Sequence, residues 1–525
     1  MKSRIISIGL LLLTFVLSLL VLSSFRQAVP SLPERTDVFM YMIMPDRFDD
    51  AEPANNNRNG LSDASNPLAV QGGDLKGIER RLGYLRSLGV NAIWIAPVQK
   101  NVPGAFHGYW IQDFLTVDPR LGTMADLRRL IRKSHALGIR VYLDIVCNHT
   151  GPLSEPVGGE WEWNDAGYQL VWRDSTLLPL PEELQDLSLY HNFGEAKAWA
   201  DPWQVLGELP GGLDDLRTED ARVLDIMVRI WTWWMEQTGC DGYRVDTVKH
   251  VDMPFWYAFL EALRVRALQL GKSDFFIFGE VFSGEDEICA PFTRPDSLGR
   301  PGFDAVLNFS FAEAVRDVLV RDASVNVIAG SIANLALYHP DTRPFLPTFI
   351  DNHDMPRFLH IARGDRALLH QALSLLYFAE GIPVLYYGTE QNFLGGEADY
   401  ENRESMFSTG WKGRNAAGDS FDPATDTWRH VRMLTLLRER TPVLRKGNSR
   451  VAYIDTMRNE IILQRTMNAT SAYAFVNRHH AASAVTLHSA HGLTAWPDGE
   501  ILHPQADGSI RLSCPPRSVR LFLPR

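Results

Sequence analysis

The chain has 525 residues and a mass of 59.2 kDa, with 45% apolar and 22% charged residues. That usage excludes a largely disordered chain and suits about two to four domains, or one large barrel with additions. With 52 Lys and Arg against 63 Asp and Glu, the net charge is −11 at pH 7, which argues against a nucleic-acid partner and suits a neutral substrate.

At the N-terminus, Lys2 and Arg4 precede an uncharged apolar run from Ile5 to Ser24. Residues 1–24 read as a secretory signal peptide or a transmembrane anchor, because a run of about 20 residues is long for a signal and just long enough to span a bilayer. On either reading the basic end stays inside and the bulk is exported: secreted, periplasmic, or anchored to the membrane facing outward. The four cysteines, Cys147, Cys240, Cys289 and Cys514, show no CxxC spacing and read as buried thiols.

Helix and strand signals then alternate. Ile78, Leu82, Leu85 and Leu88 fall at helical spacing and Gly89 stops them, before the apolar strand Asn91–Pro97. Leu127, Leu130, Ile131 and Leu137 form a second stripe, stopped by Gly138 and followed by strand Val141–Val146. The pattern repeats at Val223–Met235, Gly239 and Gly242–Asp246, again at Phe255–Leu270, Gly271 and Phe275–Glu280, and again at Leu368–Phe378, Gly381 and Ile382–Tyr387. Such alternation implies a parallel sheet, and the number of strands favours a closed (β/α)8 TIM barrel over residues 37–149 and 220–442. Residues 150–219 lack a helical period and read as an inserted subdomain after the third strand. From residue 443 to 525 short alternating runs predict a C-terminal antiparallel β domain.

Polar groups punctuate the strands' C-terminal ends: Asp144, Asn148, His149, Arg244, Asp246, Glu280, His353 and Asp354. Buried parallel strands should be apolar, and uncompensated charges there cost several kcal/mol. In a barrel that end carries the active site.

Ordered motifs give these residues a context. Asp144-Ile-Val-Cys-Asn148-His149, Gly242-Tyr-Arg244-Val-Asp246-Thr-Val-Lys249-His250, Phe278-Gly-Glu280 and Phe349-Ile-Asp351-Asn-His353-Asp354 resemble the third-, fourth-, fifth- and seventh-strand motifs of the α-amylase family. His107-Gly-Tyr109-Trp110 and Lys249-His250 resemble fungal-type α-amylases and cyclodextrin glucanotransferases most. The resemblance implies a retaining glycosidase in which Asp246 is the nucleophile, Glu280 the acid/base and Asp354 the group that grips sugar hydroxyls. It places Arg244, His149, His353, His107, Tyr109, Lys249 and His250 around the substrate, an α-glucan such as starch or maltooligosaccharides. It also implies Ca2+ held by Asn148, Asp215 and the carbonyl of His250.

Three readings of function compete. The first is an exported hydrolase of α-1,4-glucosidic bonds. The second is a glucanotransferase, in which sugar replaces water as acceptor. Against it stand Gly211, where the resemblance expects an aromatic ring, Val281, where it expects Trp, and a chain that ends after one C-terminal domain. If the backbone there accepts a side chain, Gly211→Tyr should favour transfer. The third is a non-catalytic membrane-anchored protein like the heavy chains of amino-acid transporters, which the intact set of Arg244, Asp246, Glu280 and Asp354 opposes.

Overall fold

The computed structural model describes residues 31–525 apart from residues 160, 199, 200, 397 and 399. The signal or anchor expected at residues 1–24 lies outside the described residues. Among the described residues no helix is long and apolar enough to cross a membrane.

Eight strands form the central sheet: β1 (Met40–Ile43), β2 (Ala92–Ile95), β3 (Arg140–Ile145), β4 (Gly242–Val245), β5 (Phe276–Gly279), β6 (Ala305–Val306), β7 (Pro347–Thr348) and β8 (Ile382–Tyr386). They pair in parallel in the order β6-β5-β4-β3-β2-β1-β8-β7. Asn308, just after β6, bridges to Thr348 of β7, and its N–H donates to the Pro347 carbonyl at 2.9 Å, which brings the two ends of the sheet together. The barrel interior is filled by rings. Trp94 and Tyr142 meet Phe278 edge to face with centroids 5.8 and 6.0 Å apart. Gly242 is required where β4 approaches β5, because a Cβ there would lie 2.0 Å from the Phe276 carbonyl oxygen.

The helices begin and end where local chemistry permits. In α1 (Leu75–Leu88) the Asp74 carboxylate accepts the Gly77 N–H at 2.6 Å, and Gly89 closes the helix at φ 100°. A reciprocal Thr123–Asp126 capping box starts α2 (Met124–Ala136). Asp220 caps α3 (Ala221–Thr238), which Gly239 ends at φ 71°, and Asp252 caps α4 (Met253–Gln269). The stops expected at Gly89 and Gly239 are therefore left-handed caps.

Between β3 and α3 the chain makes an irregular insert that includes a short antiparallel pair, Ser154–Pro156 with Leu170–Trp172. Asp214 ties it down. Its buried carboxylate accepts the Leu153 N–H at 2.9 Å, the Ser154 N–H at 2.8 Å and the Ser154 hydroxyl at 2.9 Å. The Leu216 N–H then donates to the Asn148 carbonyl at 2.8 Å, returning the insert to the end of β3. At the opposite end of the barrel the chain enters along the strands' N-terminal edge. Arg140, the first residue of β3, donates to the Pro33 carbonyl at 2.8 Å, and Arg35 pairs with Asp274 at 2.6 Å just ahead of β5.

The C-terminal sheet is six-stranded and antiparallel, with a further two-stranded pair beside it. Two buried arginines gather at the C-terminus of α5 (Arg366–Phe378), where unpaired helix carbonyls attract a cation, and the one from the sheet, Arg465, fixes the sheet to the barrel. Arg438 donates to the carbonyls of Tyr377 at 2.8 Å and Gly381 at 2.6 Å. Arg465, from the sheet, donates to those of Phe378 at 2.8 Å and Gly447 at 2.6 Å. All four cysteines are free and buried, as expected.

Because Arg465 serves carbonyls of two elements that no water reaches, Arg465→Ala should cost about 2–4 kcal/mol. A lower urea midpoint is the expected reading. A variant with the wild-type midpoint would show that the sheet is held by apolar packing alone.

Candidate active site

Strand alternation sets the centre of the site. In β4, Tyr243 points outward and its hydroxyl donates to the Trp231 carbonyl of α3 at 2.7 Å, so Arg244 points into the barrel. Arg244 is fully buried over the Trp94 ring, with its guanidinium carbon 5.2 Å from the ring centroid. Three carboxylates converge on it. Nη1 contacts Asp246 Oδ1 at 2.7 Å and Asp144 Oδ1 at 2.8 Å, and Nη2 contacts Glu280 Oε1 at 2.9 Å. Asp144 is the last residue but one of β3, Asp246 follows β4 and Glu280 follows β5, so three neighbouring strands deliver these acids to one cation.

The chain turns sharply beyond Asp246. Thr247 adopts φ 48° and ψ 37°, a costly conformation for a β-branched residue. The turn aims the Thr247 N–H at Glu280 Oε2, 3.2 Å away. Glu280 is thereby held at both oxygens.

Above these groups lies an open cleft of about 490 Å³. Of the expected site residues, Tyr109, His149, Asp246, Lys249, His250, Glu280, His353 and Asp354 line it. The Tyr109 hydroxyl is 2.9 Å from Asp144 Oδ2 and 2.8 Å from His353 Nε2. His107 is placed differently: it lies behind Tyr109, accepts its N–H at 3.1 Å and stacks on its ring, and so supports the wall without forming it. Lys249 turns to the rim and donates to the Phe282 carbonyl at 2.9 Å.

The site is short of positive charge. Burial pushes the Asp246 carboxyl well up against the pull of Arg244, and Glu280, Asp144 and Asp354 add to the push. Burial likewise raises Asp144 to about 6, with Arg244 opposing. It raises Asp354, opposed by Arg403 and Arg244. Desolvation lowers His149 to about 3 and His250 to about 4, and holds His107 and His353 well below the usual imidazole range. The histidines are therefore neutral near pH 7, and the cleft favours a positive charge developing on whatever it binds.

Two of the expected metal ligands, Asn148 and Asp215, come together at the insert's return. Asn148 Nδ2 donates to Asp215 Oδ1 at 2.8 Å, and His191 Nδ1 lies 2.5 Å from Asp215 Oδ2. Burial pulls His191 down, but Asp215 and Glu219 outweigh it and raise the imidazole to about 10. Asn148 Oδ1 and Glu208 Oε2 are buried without a partner. Burial, together with Asp215 and Asp214, pushes Glu208 up to about 8. Unpaired buried oxygens among carboxylates suit a hard cation, so the donor set fits Ca2+. Among the described residues no three His, Cys, Asp or Glu side chains gather as a metal cluster. The side chains that would hold the ion are thus Asn148 and Asp215, with the His250 carbonyl completing the expected set.

Several residues at the site were not singled out in the sequence. Asp144 was legible as a strand-end acid and as the first residue of the third-strand motif, but its contact with Arg244 was not. Arg403, whose Nη2 pairs with Asp354 Oδ1 at 3.1 Å, comes from an irregular stretch after β8 that carries no periodic signal. Leu209 and Leu213 of the insert and the half-exposed Phe282 also line the cleft, and nothing in their local sequence distinguishes them from ordinary loop apolars.

Residues 42–430 match the family model for the alpha-amylase catalytic domain. An alpha-amylase of Streptomyces lividans is 32% identical over 519 residues, covering 86% of this chain and 56% of that protein. A cyclomaltodextrin glucanotransferase of Niallia circulans is 31% identical, covering 88% of this chain and 62% of that protein. The chain thus spans little more than half the length of these relatives. Among solved structures, an Anoxybacillus alpha-amylase superposes with a TM-score of 0.77 at 29% identity, covering 94% of this chain and 99% of that one. An alpha-amylase from Geobacillus thermoleovorans, solved with acarbose, gives 0.75 at 28% identity, with coverage of 94% and 99%. A cyclomaltodextrin glucanotransferase described as having a three-domain ABC distribution also gives 0.75, at 25% identity, covering 94% of this chain and 100% of that one. That protein removes one argument against transfer, because a single C-terminal domain does not separate hydrolases from glucanotransferases. The eight-stranded barrel, the acids converging on Arg244 and the match across residues 42–430 together show that the chain belongs to the α-amylase family of glycosidases.

Proposed function

We propose that the protein is an exported α-glucan hydrolase that cleaves α-1,4-glucosidic bonds of starch or maltooligosaccharides with retention, by double displacement. The observation that carries this is the pair Asp246 and Glu280, held on neighbouring nitrogens of one buried guanidinium at the floor of an open cleft. Retaining hydrolysis needs two carboxyls about 5–5.5 Å apart, one to attack and one to protonate. Asp246 attacks the anomeric carbon and forms a glycosyl ester while Glu280 gives its proton to the departing oxygen. Glu280 then takes a proton from water, which displaces Asp246 and frees the sugar. The carboxylate-rich walls stabilise the oxocarbenium-like ring in the transition state of each step. Export rests on the N-terminal run alone.

The glucanotransferase relatives and the three-domain glucanotransferase favour a second reading, transfer to sugar. Two features oppose it: Gly211 and Val281. Gly211 sits at φ 105°, and a Cβ there would meet nothing within 4 Å. The space is open, but the backbone disfavours any side chain, so Gly211→Tyr would strain the loop before it could add a ring. Flanked by Leu209 and Leu213 of the cleft wall, the position leaves the cleft accessible to water. Linear maltooligosaccharides and glucose should dominate early digests of starch, and cyclodextrins as the main chromatographic product would promote the transfer reading.

Asp246→Asn should leave the fold intact and turnover below about 1% of wild type, since an amide forms no glycosyl ester. Glu280→Gln should spare glycosyl fluorides relative to starch, because fluoride departs with little protonation. Equal losses on both substrates would exclude the acid/base assignment.

We also propose that Ca2+ binds Asn148 and Asp215 with the His250 carbonyl. Calcium at about 100 times its dissociation constant should add about 2.7 kcal/mol of stability. Chelation should lower the melting temperature of the wild type and change that of Asp215→Asn less. A wild-type melting temperature indifferent to chelator and to added Ca2+ would rule the site out.

A further inference from the structure

The insert carries an aromatic surface that the catalytic steps leave unused. Trp203 is 50% exposed and is the most exposed tryptophan among the described residues. Phe193 meets it edge to face at 5.3 Å and 64°, and Trp163 lies tilted against Phe193 at 5.7 Å and 31°. Nearby, the Arg173 guanidinium covers the Trp161 ring at 5.1 Å. The backbone holds the group in place. The Asn164 N–H donates to the Phe193 carbonyl at 2.8 Å, the Ala196 N–H to the Glu208 carbonyl at 2.9 Å, and the Val205 N–H to the Asp201 carbonyl at 3.0 Å.

The backbone ties this surface to the wall of the catalytic cleft. His250, which lines the cleft, donates from Nδ1 to the carbonyl of Val205 at 2.8 Å, two residues beyond Trp203. One residue past Glu208, Leu209 is itself part of the cleft wall. Contiguous apolar groups open to solvent mark interaction sites, and here the exposed Trp203 ring sits on partly buried aromatic neighbours. The ligand that fits is one with apolar C–H faces, many hydroxyls and no charge, extending out of the neighbouring cleft.

We propose that Trp203, backed by Phe193 and Trp163, is a stacking platform that holds an α-glucan chain outside the catalytic cleft. The inference rests on the glucan-hydrolase reading for its ligand class. It adds a binding site that serves only chains long enough to reach beyond the cleft.

Binding is read first in the turnover-blocked Glu280→Gln protein, by electrophoresis through gels containing glycogen. Adding Trp203→Ala should weaken retention about 3- to 10-fold, the scale of one aromatic stacking contact. Trp203→Phe, which keeps a ring, should lose less. In the active protein, Trp203→Ala should raise KM for amylose by a similar factor while kcat/KM for maltotriose stays within about twofold. Unchanged retention, or equal losses on amylose and maltotriose, would overturn the platform. Should the alanine variant fold poorly, the unmodified protein supplies the test. N-bromosuccinimide should oxidise Trp203 in the free protein, and amylose should slow that oxidation, read by peptide mass mapping. Oxidation at the same rate with and without amylose overturns the proposal. A wild-type protein retained by glycogen yet inactive on both glucans would instead sink the hydrolase reading and leave the platform standing.

Discussion

A single guanidinium organises the site. Arg244 has no exposure to solvent, and it meets Asp144, Asp246 and Glu280 within 2.7 to 2.9 Å. Buried ions are tolerated only when their partners satisfy them. Here the accounting works in one direction: one cation serves three acids, and the rest of the barrel makes that arrangement possible. Trp94 lies under the guanidinium and also donates its Nε1–H to Asp144 at 2.9 Å. Tyr109 covers it from the cleft side. The deficit of positive charge that remains is what a glycosidase requires, because the missing charge appears on the substrate in the transition state.

Backbone geometry sets the positions of the acids. Asp246 follows the last residue of a strand whose pleat points Arg244 inward, and the strained turn at Thr247 bends the chain toward Glu280. Gly242 allows β4 and β5 to approach closely enough for their two acids to share one cation. Removing a methyl-sized constraint far from any reacting atom thus bears on the spacing of the reacting pair.

Much of this was legible in the sequence, for identifiable reasons. Alternating stripes and strands ended by Gly89 and Gly239 revealed the parallel barrel, because capping chemistry and burial act locally. Charges at strand ends revealed the site, because a buried charge in an apolar strand needs a purpose. Residues brought in by irregular segments were not legible. Arg403 reaches Asp354 from 49 positions away along a stretch without period, and Leu209, Leu213 and Trp203 belong to loops whose path no pattern foretells. His107 shows the converse: the motif was recognised, yet packing places its ring behind Tyr109. The left-handed backbone of Gly211 could not be read from its identity either, since glycine adopts both hands with similar ease.

The route by which the chain enters the barrel has a practical meaning. Pro33 and Arg35 meet Arg140 and Asp274 at the strands' N-terminal edge, while Asp246, Glu280 and Asp354 sit at the opposite, C-terminal edge. The described chain therefore begins at the floor of the barrel, with its mouth pointing the other way. A protein attached through that end to a bead, a cell envelope or a fused carrier would present its mouth to the surrounding medium, so bulky polymers could approach without meeting the support.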